Sequence, residues 1–195
     1  RIIGSYYSLE IIKDNFFFFF GTGDVMKEIG ELSKKEHPYI VKSIKTAGYE
    51  PGENVFIALD VAASTFYNKE SDKYNFENKQ LDRDELLKYY EELVLKFPII
   101  SIEDPFDEND YEGFIKMTEK LGKNINIVGD DLFVTNKKLL QMGIDKKMCN
   151  SILIKPNQIG TFYEMLETIC LAKKNNYTPI MSHRSGETTD TYIAD

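Results

Sequence analysis

Five short apolar runs in the chain each end in a polar or ionisable side chain, and this repeated pattern narrows the folds available to it. The runs are rich in β-branched residues, which is typical of buried strands. The side chains at their ends are those of Asp60, Glu103, Asp130, Lys155 and His183. Parallel strands in a β/α barrel present their carboxyl ends on one side, where such proteins carry out their chemistry. We therefore expect these side chains to line a functional site.

Segments of helical length with amphipathic character lie between the runs. We expect helices over residues 25–48, 81–97, 109–121, 136–141 and 160–175. Strand and helix thus alternate, and this order predicts an α/β fold with parallel strands. Five such units do not close an eight-stranded barrel, so we interpret residues 1–195 as part of a parallel β/α barrel. A doubly wound open sheet is the structural alternative.

Three segments depart from this alternation. Residues 1–15 carry apolar side chains at roughly helical spacing, whereas residues 64–80 are polar and tyrosine-rich, which indicates a surface excursion. Phe16–Phe20 is a run of five phenylalanines. An alternating strand would expose half of them, so we expect a fully buried strand or a segment packed against another domain. The alternative is a contact surface for a protein partner or for a second copy of the chain.

The composition argues against several classes of partner and location. A formal net charge of −8 disfavours nucleic acid or an anionic membrane as a partner. No apolar run is long enough to span a membrane, and the N-terminus shows no secretory signal, so we expect a cytoplasmic location. Cys149 and Cys170 are interpreted as reduced, buried thiols rather than as a disulfide.

Carboxylates close three successive strand-like runs, at Asp60, Glu103 and Asp130. Three like charges brought together repel one another unless a cation neutralises them. Mg²⁺ is held by oxygen ligands, commonly a few carboxylates together with substrate and water. These residues are therefore candidate magnesium ligands, although any one of them alone could equally cap a helix or face solvent.

The two remaining strand ends carry cations. Lys155 follows a buried strand, where desolvation and a nearby metal would favour its neutral amine, so it is a candidate general base. The alternative for Lys155 is a structural ion pair with one of the acids. The segment beginning with His183, Arg184 and Ser185 offers a planar cation, a hydroxyl and backbone donors, which suit a phosphate or carboxylate.

Five motifs together resemble the enolase (phosphopyruvate hydratase) family, in order and in spacing. They are ALDVAAS at 58–64, SIEDPFD at 101–107, IVGDDL at 127–132, KPNQIG at 155–160 and SHRSGE at 182–187. The resemblance implies an enolase-type barrel and the interconversion of 2-phosphoglycerate and phosphoenolpyruvate in glycolysis, with Mg²⁺ as the cofactor. Enolases are generally dimers, so it also implies a possible homodimer.

The resemblance assigns a role to each candidate residue. It implies that Asp60, Glu103 and Asp130 bind Mg²⁺, and that Lys155 removes the proton beside the substrate carboxylate. It also implies that Arg184 and Ser185 hold the phosphate. The full set of substrate-binding residues that it implies is His183, Arg184, Ser185, Glu103 and Asp130.

The chain departs from the family pattern at the acid that assists loss of hydroxide. The family has a Gly-Asp-Glu-Gly-Gly loop there, whereas this chain has Gly23-Asp24-Val25-Met26-Lys27, so Val25 stands in place of the glutamate. Pro156 also replaces a usual valine. The resemblance does not extend to the family's N-terminal lid domain. We therefore expect weak or absent enolase activity, with a catalytically inactive structural or interaction protein as the alternative.

Overall fold

The structure is a computed structural model that describes residues 7–12, 15–20, 33–76 and 79–182, with side chains from residue 40 onward. The chain divides into two compact units, Arg1–Asp107 and Glu108–Asp195. Val25 and the predicted substrate-binding residues His183, Arg184 and Ser185 lie outside the described residues.

The first unit contains a four-stranded sheet and a small three-stranded sheet. Strands β2, β3 and β7 of the larger sheet are parallel neighbours, and β1 pairs with β2 in the antiparallel sense. In chain order, the elements are β1 (Tyr7–Ile12), β2 (Asn15–Phe20), α1 (Ser33–Thr46), β3 (Val55–Asp60), β4 (Tyr67–Asn68), β5 (Lys73–Phe76), β6 (Lys79–Leu81), α2 (Arg83–Lys96) and β7 (Ile99–Glu103).

The N-terminal segment corrects one prediction and confirms another. The helical spacing over residues 1–15 is misleading, because Tyr7–Ile12 is a strand whose backbone pairs along its whole length with Asn15–Phe20. The strand predicted for the phenylalanine run is confirmed, with its backbone paired on both sides, with β1 and with β3, whereas the predicted burial of its side chains stays a prediction. Aromatic and β-branched residues favour strands when a neighbouring strand is available, which overrides a weak helical periodicity.

Residues 64–80 are more than a surface excursion. Strands β4, β5 and β6 form an antiparallel sheet, and the side chains of Tyr74 and Phe76 on β5 are buried. The polar residues of this segment surround these aromatic side chains, on the turns and on the exposed faces of the strands. Helix α2 follows directly and begins with a capping box, in which Asp82 and Glu85 each accept a hydrogen bond from the other's backbone amide.

The second unit is a parallel sheet with helices between its strands. The strands run in the order β8, β9, β10, with Gly129 opposite Ile152 and Met181 opposite Ile154. In chain order, the elements are α3 (Tyr111–Leu121), β8 (Asn126–Gly129), α4 (Lys137–Lys146), β9 (Ser151–Ile154), α5 (Pro156–Ile159), α6 (Phe162–Lys174) and β10 (Thr178–Met181). The strand–helix alternation predicted from the sequence is thus confirmed.

The second unit also differs from the sequence predictions in detail. Helix α4 extends to Lys146, beyond the predicted end at 141. The short helix α5 was not predicted; it begins with Pro156 at its first position, where the missing proline N–H costs nothing. Cys149 is a buried free thiol as predicted, but Cys170 is exposed on α6, so its predicted burial is wrong.

No helix within the described part of the chain is both long enough and apolar enough to cross a membrane.

Candidate active site

In the first unit, Asp60 and Glu103 occupy matching positions at the carboxyl ends of neighbouring parallel strands. They are register partners at the last pair of β3 and β7, and the backbone N–H of Val61 donates to the Glu103 carbonyl at 2.9 Å. Glu103 is buried, whereas Asp60 is half-buried. Neighbouring strands lie about 4.8 Å apart, so these two residues lie side by side at this edge.

The loops after β3 and β7 are joined to each other by backbone contacts. The Ala63 N–H donates to the Asp104 carbonyl at 3.1 Å. Ala62 and Asp104 both take left-handed backbone conformations, with φ of 45° and 40°. Such conformations cost non-glycine residues about 1–2 kcal/mol each, so the surrounding contacts must hold them in place. The two chain exits beside the carboxylates are therefore fixed relative to each other.

An aromatic cluster braces the loop that follows Glu103. The Phe106 ring is fully buried and meets the Tyr74 and Tyr90 rings edge-on, at centroid distances of 6.0 and 5.9 Å. The Tyr90 hydroxyl donates to the Pro105 carbonyl at 2.8 Å, and the Tyr74 hydroxyl accepts from the Asp107 N–H at 3.1 Å. Burial raises the pKa of Tyr90, so its phenol keeps the proton that this hydrogen bond needs.

In the second unit, Lys155 and Asp130 form a buried ion pair. Asp130 directly follows β8 and Lys155 directly follows β9, and the Lys155 ammonium donates to the Asp130 Oδ2. Their side chains are only 16% and 11% exposed. An ion pair this enclosed is far less screened by solvent than the surface pairs of the same unit.

The loop from Asp130 to Asn136 is anchored by a phenylalanine clamped between two glycines. The Phe133 ring is fully buried, and a Cβ on Gly129 would lie 2.6 Å from its Cδ2. A Cβ on Gly143 of α4 would come closer still to the ring, at its Cε1, and would lie 2.6 Å from its Cζ. Real Cβ atoms do not approach other atoms this closely, so the two glycines create the space that holds the ring.

Hydrogen bonds fix the same loop at both ends. The Asp130 carbonyl accepts from the N–H groups of Phe133 and Val134, at 3.1 and 2.7 Å. At the other end, the Asn136 side chain caps α4 by accepting from the N–H groups of Lys138 and Leu139. The carboxylate of Asp130 is thus carried on a short segment whose path is determined on each side.

Thr135 connects this loop to Lys155. Its hydroxyl accepts the backbone N–H of Lys155 at 2.9 Å and lies 3.2 Å from the Gln158 Oε1 and 3.4 Å from the Leu153 carbonyl. Its own carbonyl accepts from the Thr168 hydroxyl at 3.0 Å. Thr135 therefore contacts the end of β9, helix α5 and helix α6 through polar bonds.

The structure thus brings the predicted residues together in two pairs. Asp60 lies beside Glu103 in the first unit, and Asp130 contacts Lys155 in the second. The sequence analysis did not single out Thr135 or Phe133. A weak signal was present in the segment FVTN, because β-branched residues between a strand end and a helix cap are unusual in a connecting loop.

The donor set at these strand ends fits a hard divalent cation. Carboxylate oxygens are the ligands that Mg²⁺ takes, and two of them are register partners at the edge formed by β3 and β7. No thiol or imidazole belongs to this set among the described residues, which disfavours softer metals. Asp60 and Glu103 are thus suited to share one cation, and the Asp130 carboxylate is of the same chemical kind.

Comparison with known proteins identifies the family. Residues 22–195 match the family model of the enolase C-terminal TIM barrel domain. The chain is 49% identical over 198 residues to Enolase 2 of Lactobacillus johnsonii, in an alignment that covers 100% of this chain and 46% of that protein. The chain therefore spans about half the length of the curated relative that it matches. The match favours the barrel over the open sheet: the chain belongs to the enolase family, and its residues 22–195 match the family's C-terminal α/β barrel domain.

Proposed function

We propose that residues 1–195 form a partial enolase barrel domain that carries the base of the Mg²⁺-dependent dehydration of 2-phosphoglycerate to phosphoenolpyruvate. The observation that supports this proposal is the enclosed position of Lys155 at the carboxyl end of β9, where its side chain is only 16% exposed. Its contact with Asp130 is also the ion pair that the sequence analysis gave as the alternative for Lys155. A reaction that begins with proton removal from carbon needs a basic group held at one point in a water-poor site. The enclosed Lys155 amine meets that need.

Lys155 would take the proton from carbon 2 of the substrate, and the electron pair would move towards the substrate carboxylate. The ammonium that results would donate to Asp130, which is the contact in the structure. Loss of hydroxide from carbon 3 would then form the double bond of phosphoenolpyruvate. By resemblance, Asp60, Glu103 and Asp130 would hold Mg²⁺, whose charge stabilises the negative charge that develops on the substrate.

Three of the proposed substrate-binding residues lie beyond the described part of the chain, whereas Glu103 and Asp130 lie within it. Arg184 and Ser185 would hold the phosphate, and His183 would line the pocket. They follow Ser182, whose N–H donates to the Ile154 carbonyl at 2.9 Å, directly before Lys155. This backbone contact supports the proposal, because the chain leaves the sheet next to the strand that carries the base.

Loss of hydroxide is the step that this chain would perform poorly. Val25 cannot donate a proton, and general acid catalysis contributes roughly 10²–10⁴ in rate. We test the proposal by measuring phosphoenolpyruvate formation from 2-phosphoglycerate with and without Mg²⁺, beside a Val25→Glu variant. Little turnover in the parent and recovery in the variant is the expected result. Full activity of the parent would contradict the role given to Val25.

The second candidate is an enolase-related scaffold without activity. Val25 and the aromatic strand Phe16–Phe20 favour it, and the partner would be a protein or a second copy of the chain bound at that strand. Thermal stability distinguishes the two candidates. Mg²⁺ with a phosphonate mimic of the substrate raises the melting temperature of the chain only if the substrate site forms. No thermal shift, together with stable self-association, would favour the scaffold. For either candidate, we propose a cytoplasmic location.

A further inference from the structure

The loop from Asp130 to Asn136 reaches Lys155 at two separate points. Its first residue contacts the ammonium of Lys155, and Thr135 accepts the backbone N–H of the same lysine at 2.9 Å. Lys155 lies just beyond β9 and just before α5, at φ −121° and ψ 102°. The threonine hydroxyl therefore accepts the hydrogen bond of the lysine N–H, which lies beyond the end of the strand.

Thr135 has a backbone conformation that threonine rarely adopts. It is fully buried, and both Thr135 and Val134 take left-handed backbone conformations, with φ of 55° and 43°. Two consecutive β-branched residues in this region are strained, and such strain persists only where the surroundings enforce it. The clamped Phe133 ring and the Asn136 cap enforce it here. The result of the strained path is that the Thr135 hydroxyl points at the Lys155 amide.

We propose that Thr135 is a positioning residue for the base: its hydroxyl fixes the Lys155 backbone so that the lysine amine stays at the Asp130 carboxylate. This inference rests on the proposed function, in which Lys155 takes the substrate proton. A four-carbon side chain amplifies small backbone shifts at its end. A buried N–H without a partner shifts to find one, because an unmade hydrogen bond is costly. Loss of the hydroxyl would therefore displace or loosen the amine.

Two substitutions isolate the hydroxyl. Thr135→Val keeps the shape of the side chain and removes the acceptor, whereas Thr135→Ser keeps the acceptor. The matched control is Thr118→Val in the same unit. The Thr118 hydroxyl accepts the backbone N–H of Cys149 at 2.8 Å. This variant therefore loses the same kind of hydrogen bond, but at a residue other than Lys155.

The first readout needs no turnover. The ammonium resonance of Lys155 in ¹H–¹⁵N spectra of residues 1–195, recorded at one fixed pH, is assigned by its disappearance in Lys155→Met. We expect an ordered ammonium in the parent, in Thr135→Ser and in Thr118→Val. In Thr135→Val, we expect its order parameter to fall towards the values of exposed lysines. An unchanged Lys155 signal in Thr135→Val overturns the inference.

The second readout is the rate at which carbon 2 of 2-phosphoglycerate exchanges its hydrogen with D₂O. We expect Thr135→Val to lower the rate constant at saturation by about tenfold to a hundredfold with little change in KM, because misplacement of a reacting group acts on the chemical step. Thr135→Ser restores the rate. Equal losses in Thr135→Val and Thr118→Val would overturn the inference. Absence of exchange in the parent, with a Lys155 signal that still depends on Thr135, defeats the proposed function and leaves the positioning role intact.

Discussion

The two units place ionisable side chains at strand ends with different balances of aromatic packing and hydrogen bonding. Beside Glu103 in the first unit, aromatic rings pack under the loop, with Phe106 between Tyr74 and Tyr90. Beside Lys155 in the second unit, a strained loop is held by hydrogen bonds through Thr135. Aromatic packing depends on volume and tolerates small displacements, whereas a hydrogen bond fixes a direction. The pair that would move a proton is held by the more directional device.

This difference predicts which substitutions each region tolerates. The carboxylate edge of the first unit should respond chiefly to changes in side-chain volume. The Asp130–Lys155 pair should respond to the loss of single polar atoms and to added volume beside Phe133. The predictions below test this contrast in order of expected effect.

Phe106→Ala tests the aromatic bracing of the first unit. We expect it to lower the free energy of unfolding by roughly 3–5 kcal/mol, because a large, fully buried ring is replaced by a cavity. Urea denaturation followed by circular dichroism measures the change. Leu95→Ala is the control, since Leu95 is 86% exposed and its truncation should cost no more than about 0.5 kcal/mol. Similar losses in both variants would show that the ring does not brace the loop.

Gly143→Ala tests the clamp in the second unit. Alanine normally favours a helix interior over glycine, yet here we expect a loss of about 1–3 kcal/mol, because the new methyl group meets the Phe133 ring. In a Phe133→Leu background, the same substitution should cost much less. A double-mutant cycle by chemical denaturation measures the coupling. Additive effects would mean that the ring and the glycine do not share the space.

Tyr90→Phe tests one of the two hydrogen bonds that the aromatic cluster makes to the loop after Glu103. Loss of the bond to the Pro105 carbonyl should cost about 1 kcal/mol. Because burial raises the pKa of Tyr90, its neutral form stabilises the fold fully below the unfolded pKa of about 10, and that contribution is lost as pH rises towards the folded pKa. The variant should therefore lose less stability in alkali than the parent. Parallel pH–stability curves would contradict this assignment.

Asn136→Ala tests the end of the strained loop. We expect a loss of about 1 kcal/mol in unfolding free energy from the missing helix cap. The informative comparison is Asp82→Ala, which removes the capping box of α2 in the first unit at a similar cost. Only Asn136→Ala should also speed amide hydrogen exchange at Lys155. Equal exchange at Lys155 in both variants would show that the cap does not support the loop.

Much of the fold could be predicted because local signals agree with the packing. The apolar runs ending at Asp60, Glu103, Asp130 and Lys155 are strands, and the helices between them were foreseen. The helical spacing over residues 1–15 failed because pairing with the phenylalanine strand decides the conformation there. The polar appearance of residues 64–80 concealed the buried rings of Tyr74 and Phe76, since composition does not show which side chains turn inward.

The sequence predicted which residues form the candidate site, but not the loop contacts that hold them in place. Strand-end position pointed to Lys155 and Asp130, and the structure pairs them. Thr135 carries no chemistry that a sequence pattern marks, because its importance comes from a backbone conformation that threonine rarely adopts. Contacts of this kind depend on the path of the loop, which is set by Phe133 and by the glycines at positions 129 and 143.

The most direct test is exchange of the carbon-2 hydrogen of 2-phosphoglycerate in D₂O with Mg²⁺, compared for the parent, Lys155→Met and Val25→Glu. We predict exchange in the parent that Lys155→Met abolishes and Val25→Glu leaves nearly unchanged, because Val25 affects only the later loss of hydroxide. Exchange that persists in Lys155→Met, or that is absent from both the parent and Val25→Glu, would contradict the account of Lys155 as the base.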